Sequence, residues 1–211
     1  MSYYPVSLDI SGRRCAVIGG GAVALRKVRG LLECGASVEV ISPELCPGLE
    51  ELAEKGMVLP VRRVYEEGDL EGAFMVISAT DDRRLNEEIA REANAAGMLV
   101  NVVDVPDLCN FIVPSCVRRG NLTISISTGG ASPALARKLR TDLEKVFGEG
   151  YGELAHIIGE VRSELQGSGV AVAAEAWQDA LDLDRLLELI RKGKREEAKR
   201  ELLQKLREKR G

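Results

Sequence analysis

The residues best suited to chemistry begin at Gly19-Gly20-Gly21, where Gly19-x-Gly21-x-x-Ala24 fits the pattern G-x-G-x-x-G/A. One glycine of that pattern permits a tight turn, the next lets backbone approach a pyrophosphate, and a small third residue lets a helix pack on a strand. The helix that follows offers free N–H groups, first those of Ala22 and Val23, and the positive end of its dipole to phosphate. A lone match is a weak signal, so its context decides. The next stretch is Ser42-Pro43-Glu44. Glu44 lies 23 residues after Gly21, near the spacing of a carboxylate that holds a ribose 2′-hydroxyl. No Arg or Lys occurs between Ser37 and Glu54 to hold a 2′-phosphate. Pro43 and Glu44 therefore favour NAD over NADP. Two further stretches end predicted strands. Thr80 and Asp81 are placed to meet cofactor or substrate, although a helix N-cap explains Asp81 or Asp82 equally well. Asp104 is either a proton acceptor at the lip of a site or a turn carboxylate.

The elements that must position these groups can be read from periodicity. Residues 13–19 form a short apolar run, the profile of a buried parallel strand. Residues 22–34 have helical spacing, with Val23, Val28, Leu31 and Leu32 on one face and Gly35 as a stop. A second strand spans 37–42, completing a unit of βαβ size. Alternation continues with a helix at 47–56, strands at 57–65 and 73–79, a helix at 82–96 and a strand at 98–103. Strands alternating with helices imply an α/β fold with a Rossmann-type parallel sheet, here over 1–110. Strands at 111–118 and 122–127 are then joined by the turn Arg119-Gly120-Asn121. Ser132 and Pro133 open a helix that runs to about 147. This central region, 111–148, is a small α+β unit whose apolar strands need a partner to cover them, which suggests a homodimer. After a glycine-rich hinge at 148–152, helices at 151–166, 174–181, 183–192 and 194–209 make a C-terminal helical domain, 149–211.

Composition narrows the class of function. The hydrophobic share is 45% and aromatics are 4%, so few rings exist to stack bases. The net charge of −4 gives no reason to expect nucleic acid or an anionic membrane. Residues 191–211 carry ten Lys/Arg and four Asp/Glu. Favourable pairs such as Glu196/Arg200 and Glu201/Lys205 fit a salt-bridged helix, with a binding arm as the alternative. The five cysteines form no CxxC pair and His156 is the sole histidine, so zinc spacing is absent and no protein metal site is expected. An odd cysteine count, no signal-peptide pattern at 1–14, and no apolar run near the ~20 residues of a membrane span point to a cytoplasmic protein.

Five segments in order are more specific than any one of them. They are 19–27 (GGGAVALRK), Ala79-Thr80-Asp81-Asp82, Asn101-Val102-Val103-Asp104, Phe111-Ile112-Val113-Pro114-Ser115, and Thr128-Gly129-Gly130-Ala131-Ser132-Pro133. Together they resemble the precorrin-2 dehydrogenase/sirohydrochlorin ferrochelatase module of siroheme synthases. The resemblance is strong over 1–150 and weaker beyond, where 151–165 still looks similar. It implies oxidation of precorrin-2 to sirohydrochlorin with NAD, insertion of ferrous iron as a substrate in many members, and a homodimer with a central dimerisation region. The methyltransferase module of some relatives is not in this sequence, so methylation of uroporphyrinogen is not expected. A dehydrogenase without chelatase activity, or an NAD-sensing Rossmann module that turns nothing over, are the alternatives.

The resemblance also assigns residues. Asp104 falls on the family's catalytic aspartate through the NVVD segment, as base in the oxidation and in metal insertion. Asn101 and Asn110 could hydrogen-bond cofactor or substrate, or serve as cap or turn residues. Ser127 and Thr128 would meet substrate; relatives often carry serine where this chain has Thr128, and the hydroxyl is kept. The implied substrate bears eight carboxylates and needs cations. Arg118 and Arg137 are the candidates, with Arg119, Lys138 and Arg140 nearby in sequence. His156 is a possible iron ligand, or a surface or helix-packing residue.

Overall fold

The run at 14–18 has no polar alternation, as befits a strand covered on both faces. In the computed structural model, which describes residues 3–208, it is the central strand of a sheet. Strand β1 (Arg14–Ile18) has Cys15, Ala16 and Val17 fully shielded from solvent. It is followed by α1 (Ala22–Leu32), β2 (Ser37–Ile41), α2 (Pro47–Glu54), β3 (Val58–Val61), β4 (Met75–Ser78), α3 (Arg83–Ala95) and β5 (Leu99–Val102). All neighbours are parallel, in the order β3-β2-β1-β4-β5. Alternate residues of β1 serve opposite faces. Cys15 and Val17 join Val28, Val40, Leu49 and Ile77 in one core. Ala16 and Ile18 join Val76, Ile89 and Val100 in the other. The order reverses direction between β1 and β4, so the carboxyl ends of those strands form the crevice where ligands bind in such sheets.

Two expected strands are shorter than their apolar runs. β3 stops at Val61 because the Arg63 amide turns back onto the Val61 carbonyl and its guanidinium pairs with Asp69. The strand expected from 111 begins only at Ser115. Phe111 instead packs on the first core, and its carbonyl accepts a hydrogen bond from Asn101. The chain accordingly divides into compact units at Val113 and Pro114.

The second unit opens with the antiparallel hairpin β6 (Ser115–Arg119) and β7 (Leu122–Ile126). Helix α4 (Pro133–Val146) follows, capped by Ser132. Helices α5 (Gly150–Gly167), α6 (Ala174–Ala180), α7 (Leu183–Arg191) and α8 (Arg195–Glu208) bury Leu154, Ile157, Val161, Leu186 and Leu202 together. Helix α5 packs directly on the hairpin. A Cβ at Gly152 would lie 2.8 Å from the Arg119 carbonyl oxygen. Several described cations of the basic tail form ion pairs: Arg195 with Glu153 and Glu160, Lys199 with Glu160, and Arg207 with Glu164. The expected end of the last helix at 209 lies outside the described residues. Among the described residues, no helix is long and apolar enough to cross a membrane.

Candidate active site

The glycine turn is a close junction of backbones. Gly19 has φ +118°, and a Cβ there would stand 2.4 Å from the Ala79 carbonyl oxygen. A Cβ at Gly20 would meet the Glu44 carbonyl oxygen at 1.8 Å, and the Gly20 carbonyl accepts from the Cys46 amide at 2.7 Å. The ends of β1, β2 and β4 are thus held together by residues without side chains. Gly20 was not among the expected ligand-site residues, and its role as the packing glycine is visible only once β2 is beside it. Gly21 differs: no atom lies within 4 Å of its would-be Cβ. It is the N-cap of α1, with no side-chain cap and no acidic residue in the first turn. The amides of Ala22 and Val23 therefore start a helix whose donors are unmet by any capping side chain, beside open space. That cradle fits a pyrophosphate.

Beyond β2, Ser42 is buried and donates through Oγ to the Glu44 carbonyl at 2.8 Å. This fixes the loop while Pro43 and the Glu44 side chain stay exposed. Beyond β4, the cap question resolves on Asp82, whose carboxylate accepts from the Arg84 and Leu85 amides. Asp81 is exposed and plays no part in that cap. The Thr80 Oγ1 accepts from the Asp82 amide at 3.2 Å. Beneath them lies a buried pair that sequence reasoning missed. Ser78 Oγ and Asn86 Oδ1 are 2.6 Å apart, and Asn86 Nδ2 donates to the Thr80 carbonyl at 3.0 Å. An Asn on the buried face of an amphipathic helix was the only available signal.

Asp104 follows β5, and it is the one non-glycine residue with positive φ (+60°) among the described residues. Asp tolerates this conformation better than most residues, but at a cost, and such strain gathers at functional sites. Its carboxylate is exposed at the carboxyl end of the sheet. Around its turn, Lys27 donates to Asn101 Oδ1 at 3.3 Å, and Cys109 Sγ accepts from the Val102 amide at 3.1 Å. Burial and the neighbouring Arg26 pull the Lys27 ammonium below its usual pKa, while Cys109 and Asp104 oppose that shift. Burial pushes the Cys109 thiol up. Asn110 spends its side chain on the fold. Oδ1 accepts from the Val100 amide at 2.8 Å, and Nδ2 donates to Asn94 Oδ1 and the Met98 carbonyl. Its amide closes the edge of β5 rather than standing open to a substrate.

The second unit carries the remaining candidates. Ser127 Oγ accepts from the Gly129 amide at 3.1 Å, and Thr128 Oγ1 from the Ser132 amide at 2.9 Å, so both hydroxyls shape the glycine turn before α4. Arg118 and Arg137 are exposed. Arg119 is engaged with the Phe147 carbonyl and Glu149, Lys138 with Asp142, and Arg140 with Glu144. His156 is exposed on a helix surface between Glu160 and Arg195. Among the described residues, no group of three or more His, Cys, Asp or Glu could hold a metal.

A parallel sheet with a glycine turn at its switch point, leading into a helix with no capping side chain, defines a Rossmann domain of the class that binds nicotinamide dinucleotides. The family model described as "Putative NAD(P)-binding" matches residues 6–115, and that described as "Sirohaem biosynthesis protein central" matches 119–145. The siroheme synthase of Nitrosococcus oceani is 41% identical over 94% of this chain and 42% of its own length. That of Methylobacillus flagellatus is 45% identical over 79% of this chain and 36% of its own. The chain thus spans about two fifths of the length of these curated relatives. The solved structure of SirC, a precorrin-2 dehydrogenase, is 30% identical with a TM-score of 0.73, covering 98% of this chain and all of that one. The chain belongs to the family of the precorrin-2 dehydrogenase SirC, with the putative NAD(P)-binding model over 6–115, and is similar to part of the siroheme synthases.

Proposed function

We propose that this protein oxidises precorrin-2 to sirohydrochlorin with NAD in siroheme biosynthesis, and that it then inserts ferrous iron into the product. The observation that carries the proposal is Asp104, a carboxylate held at φ +60° beyond β5 in the unit that contains the glycine turn. When bound, NAD accepts the hydride that the substrate loses. Asp104 takes the accompanying proton, and in metal insertion the same carboxylate accepts protons leaving the pyrrole nitrogens. The Ala22 and Val23 amides hold the pyrophosphate. Glu44, with Pro43 shaping its loop, holds the ribose hydroxyl and so selects NAD. Thr80 and Asp81 border the nicotinamide end. Arg118 and Arg137 pair with substrate carboxylates, and Ser127 and Thr128 shape the loop beside them.

We place the enzyme in the cytoplasm as a homodimer. Leu135, Leu139 and Val146 support the dimer, because they lie exposed on α4 at spacings that place them on one face. The test is anaerobic reduction of NAD by precorrin-2. Asp104→Asn should lose about 10²–10⁴-fold in rate while NAD affinity is kept. An Asp104→Asn enzyme with full activity would remove the base assignment. Absence of any turnover by the unaltered protein would favour an NAD-sensing module. Sirohydrochlorin with ferrous ion, assayed separately, tests the insertion step.

A further inference from the structure

We propose that Lys27 is a positioning residue that ties the phosphate-binding helix to the turn carrying Asp104. This rests on Asp104 being the base. Lys27 lies in the second turn of α1, the helix that begins at the glycine turn. Its half-buried ammonium reaches across to β5 and donates to Asn101 Oδ1 at 3.3 Å. Asn101 is 8% exposed and turns its other end away, donating from Nδ2 to the Phe111 carbonyl at 3.1 Å and approaching Cys109 Sγ at 3.6 Å. That sulfur sits inside the turn. It accepts from the Val102 amide and lies 3.2 and 3.4 Å from the Val102 and Val105 carbonyl oxygens. Asp104 lies between those two residues. A series of contacts therefore runs from the helix that begins at the glycine turn to Val102 and Val105, the residues on either side of the strained turn.

The location of Lys27 is not one that solubility explains. A lysine with no task on a helix facing a sheet extends its stem and leaves the ammonium in water. This one is drawn inward at a desolvation cost, toward a buried amide and within electrostatic reach of Asp104 and Cys109. A left-handed Asp is disfavoured relative to ordinary backbone, so its turn stays in place only if the surroundings over-determine it. Hydride and proton must leave one substrate in a fixed geometry, and small displacements at such a site lose large factors in rate. Lys27 couples the element that fixes the cofactor to the element that fixes the base.

Lys27→Met keeps the stem and deletes the donor and the charge. Amide hydrogen exchange at 103–105 should speed up by about tenfold, while the amides of Val17 and Val76 keep their protection. Unchanged exchange at 103–105 overturns the proposal, and that readout needs neither substrate nor turnover. In the NAD-reduction assay kcat should fall by about tenfold with NAD affinity within about twofold. Lys27→Arg should restore part of the rate. In an Asp104→Asn background, Lys27→Met should cost nothing further, because it acts through Asp104. Additive losses would show a merely structural lysine. If Lys27→Met does not fold, Lys27→Gln takes its place in each measurement. An unaltered enzyme that fails to reduce NAD defeats the proposed function, and the exchange experiment still decides on Lys27.

Discussion

Alanine placed singly at Gly19 and Gly21 should separate what the turn does for the fold from what it does for the ligand. At Gly19 the new methyl would lie 2.4 Å from the Ala79 carbonyl oxygen and 2.9 Å from its carbon. Both are backbone atoms, so nothing flexible can swing aside. The φ of +118° adds strain of about 1–3 kcal/mol, and overpacking adds a further ~1–3 kcal/mol. A domain has roughly 5–15 kcal/mol in total, and each kcal/mol moves the Tm of a unit of this size by roughly 4–8 °C. Gly19→Ala should therefore lower Tm by at least about 10 °C. Gly21 has φ −87° and ψ −173°, which alanine adopts readily, and no atom within 4 Å of its would-be Cβ. Its cost to the fold is that of a poorer N-cap, ~1 kcal/mol or less. Its methyl would, however, enter the space assigned to the pyrophosphate, lowering NAD affinity at least tenfold, about 1.4 kcal/mol. Thermal melts followed by circular dichroism and calorimetric titration with NAD give the two readouts. A Gly21→Ala protein that melts normally and binds NAD within about twofold of the parent would refute the placement of the phosphates. Equal loss of Tm in both variants would refute the division of labour.

Asn86→Ala strands the buried Ser78 hydroxyl and should cost about 1–3 kcal/mol in urea unfolding; an unchanged midpoint would mean that water replaces the amide. Arg137→Ala should raise the KM for the tetrapyrrole more than it lowers kcat, and the opposite pattern would argue against a binding role. Asp69 is held below the usual carboxylate range, first by the hydrogen bonds from Arg63, which outweigh the opposing effect of burial, with a lesser contribution from the Glu66 amide. A depressed carboxylate stabilises the fold above its unfolded pKa of about 3.9, and that contribution disappears as pH falls through the lower folded value. Asp69→Asn should therefore be less stable at neutral pH and lose less on acidification below about pH 4. Parallel slopes for the two proteins would discard the assignment.

Much of the scaffold was legible because it is written in local signals. The run at 14–18, the glycines after it and the spaced apolar residues of 22–32 each specify their element without distant partners. Ser132 and Pro133 likewise announce α4. The start of β6 was misread because Phe111-Ile112-Val113 has strand composition, whereas its carbonyl and ring are claimed by Asn101 and the first core. In the site, Gly19, Gly21 and Asp104 stand out by type and spacing. Gly20 and Lys27 do not, because their neighbours Glu44 and Asn101 lie 24 and 74 positions away; Cys109 does not, because its partners meet it only once the turn after β5 has folded, and Asn86 shows only as an Asn on the buried face of a helix. Lys27 and Asn101 are separated by 74 positions and meet only because the parallel sheet brings β5 within reach of the long Lys27 side chain on α1.

The left-handed backbone at Asp104 also bears on how this family can be engineered. Glycine would relax that position, while any branched residue would worsen it. Laboratory evolution for heat resistance alone should therefore accept Asp104→Gly early, gaining stability while discarding the proposed base. Libraries screened for a hardier catalyst from this scaffold should hold codon 104 constant and seek their gains elsewhere, on surfaces such as α8.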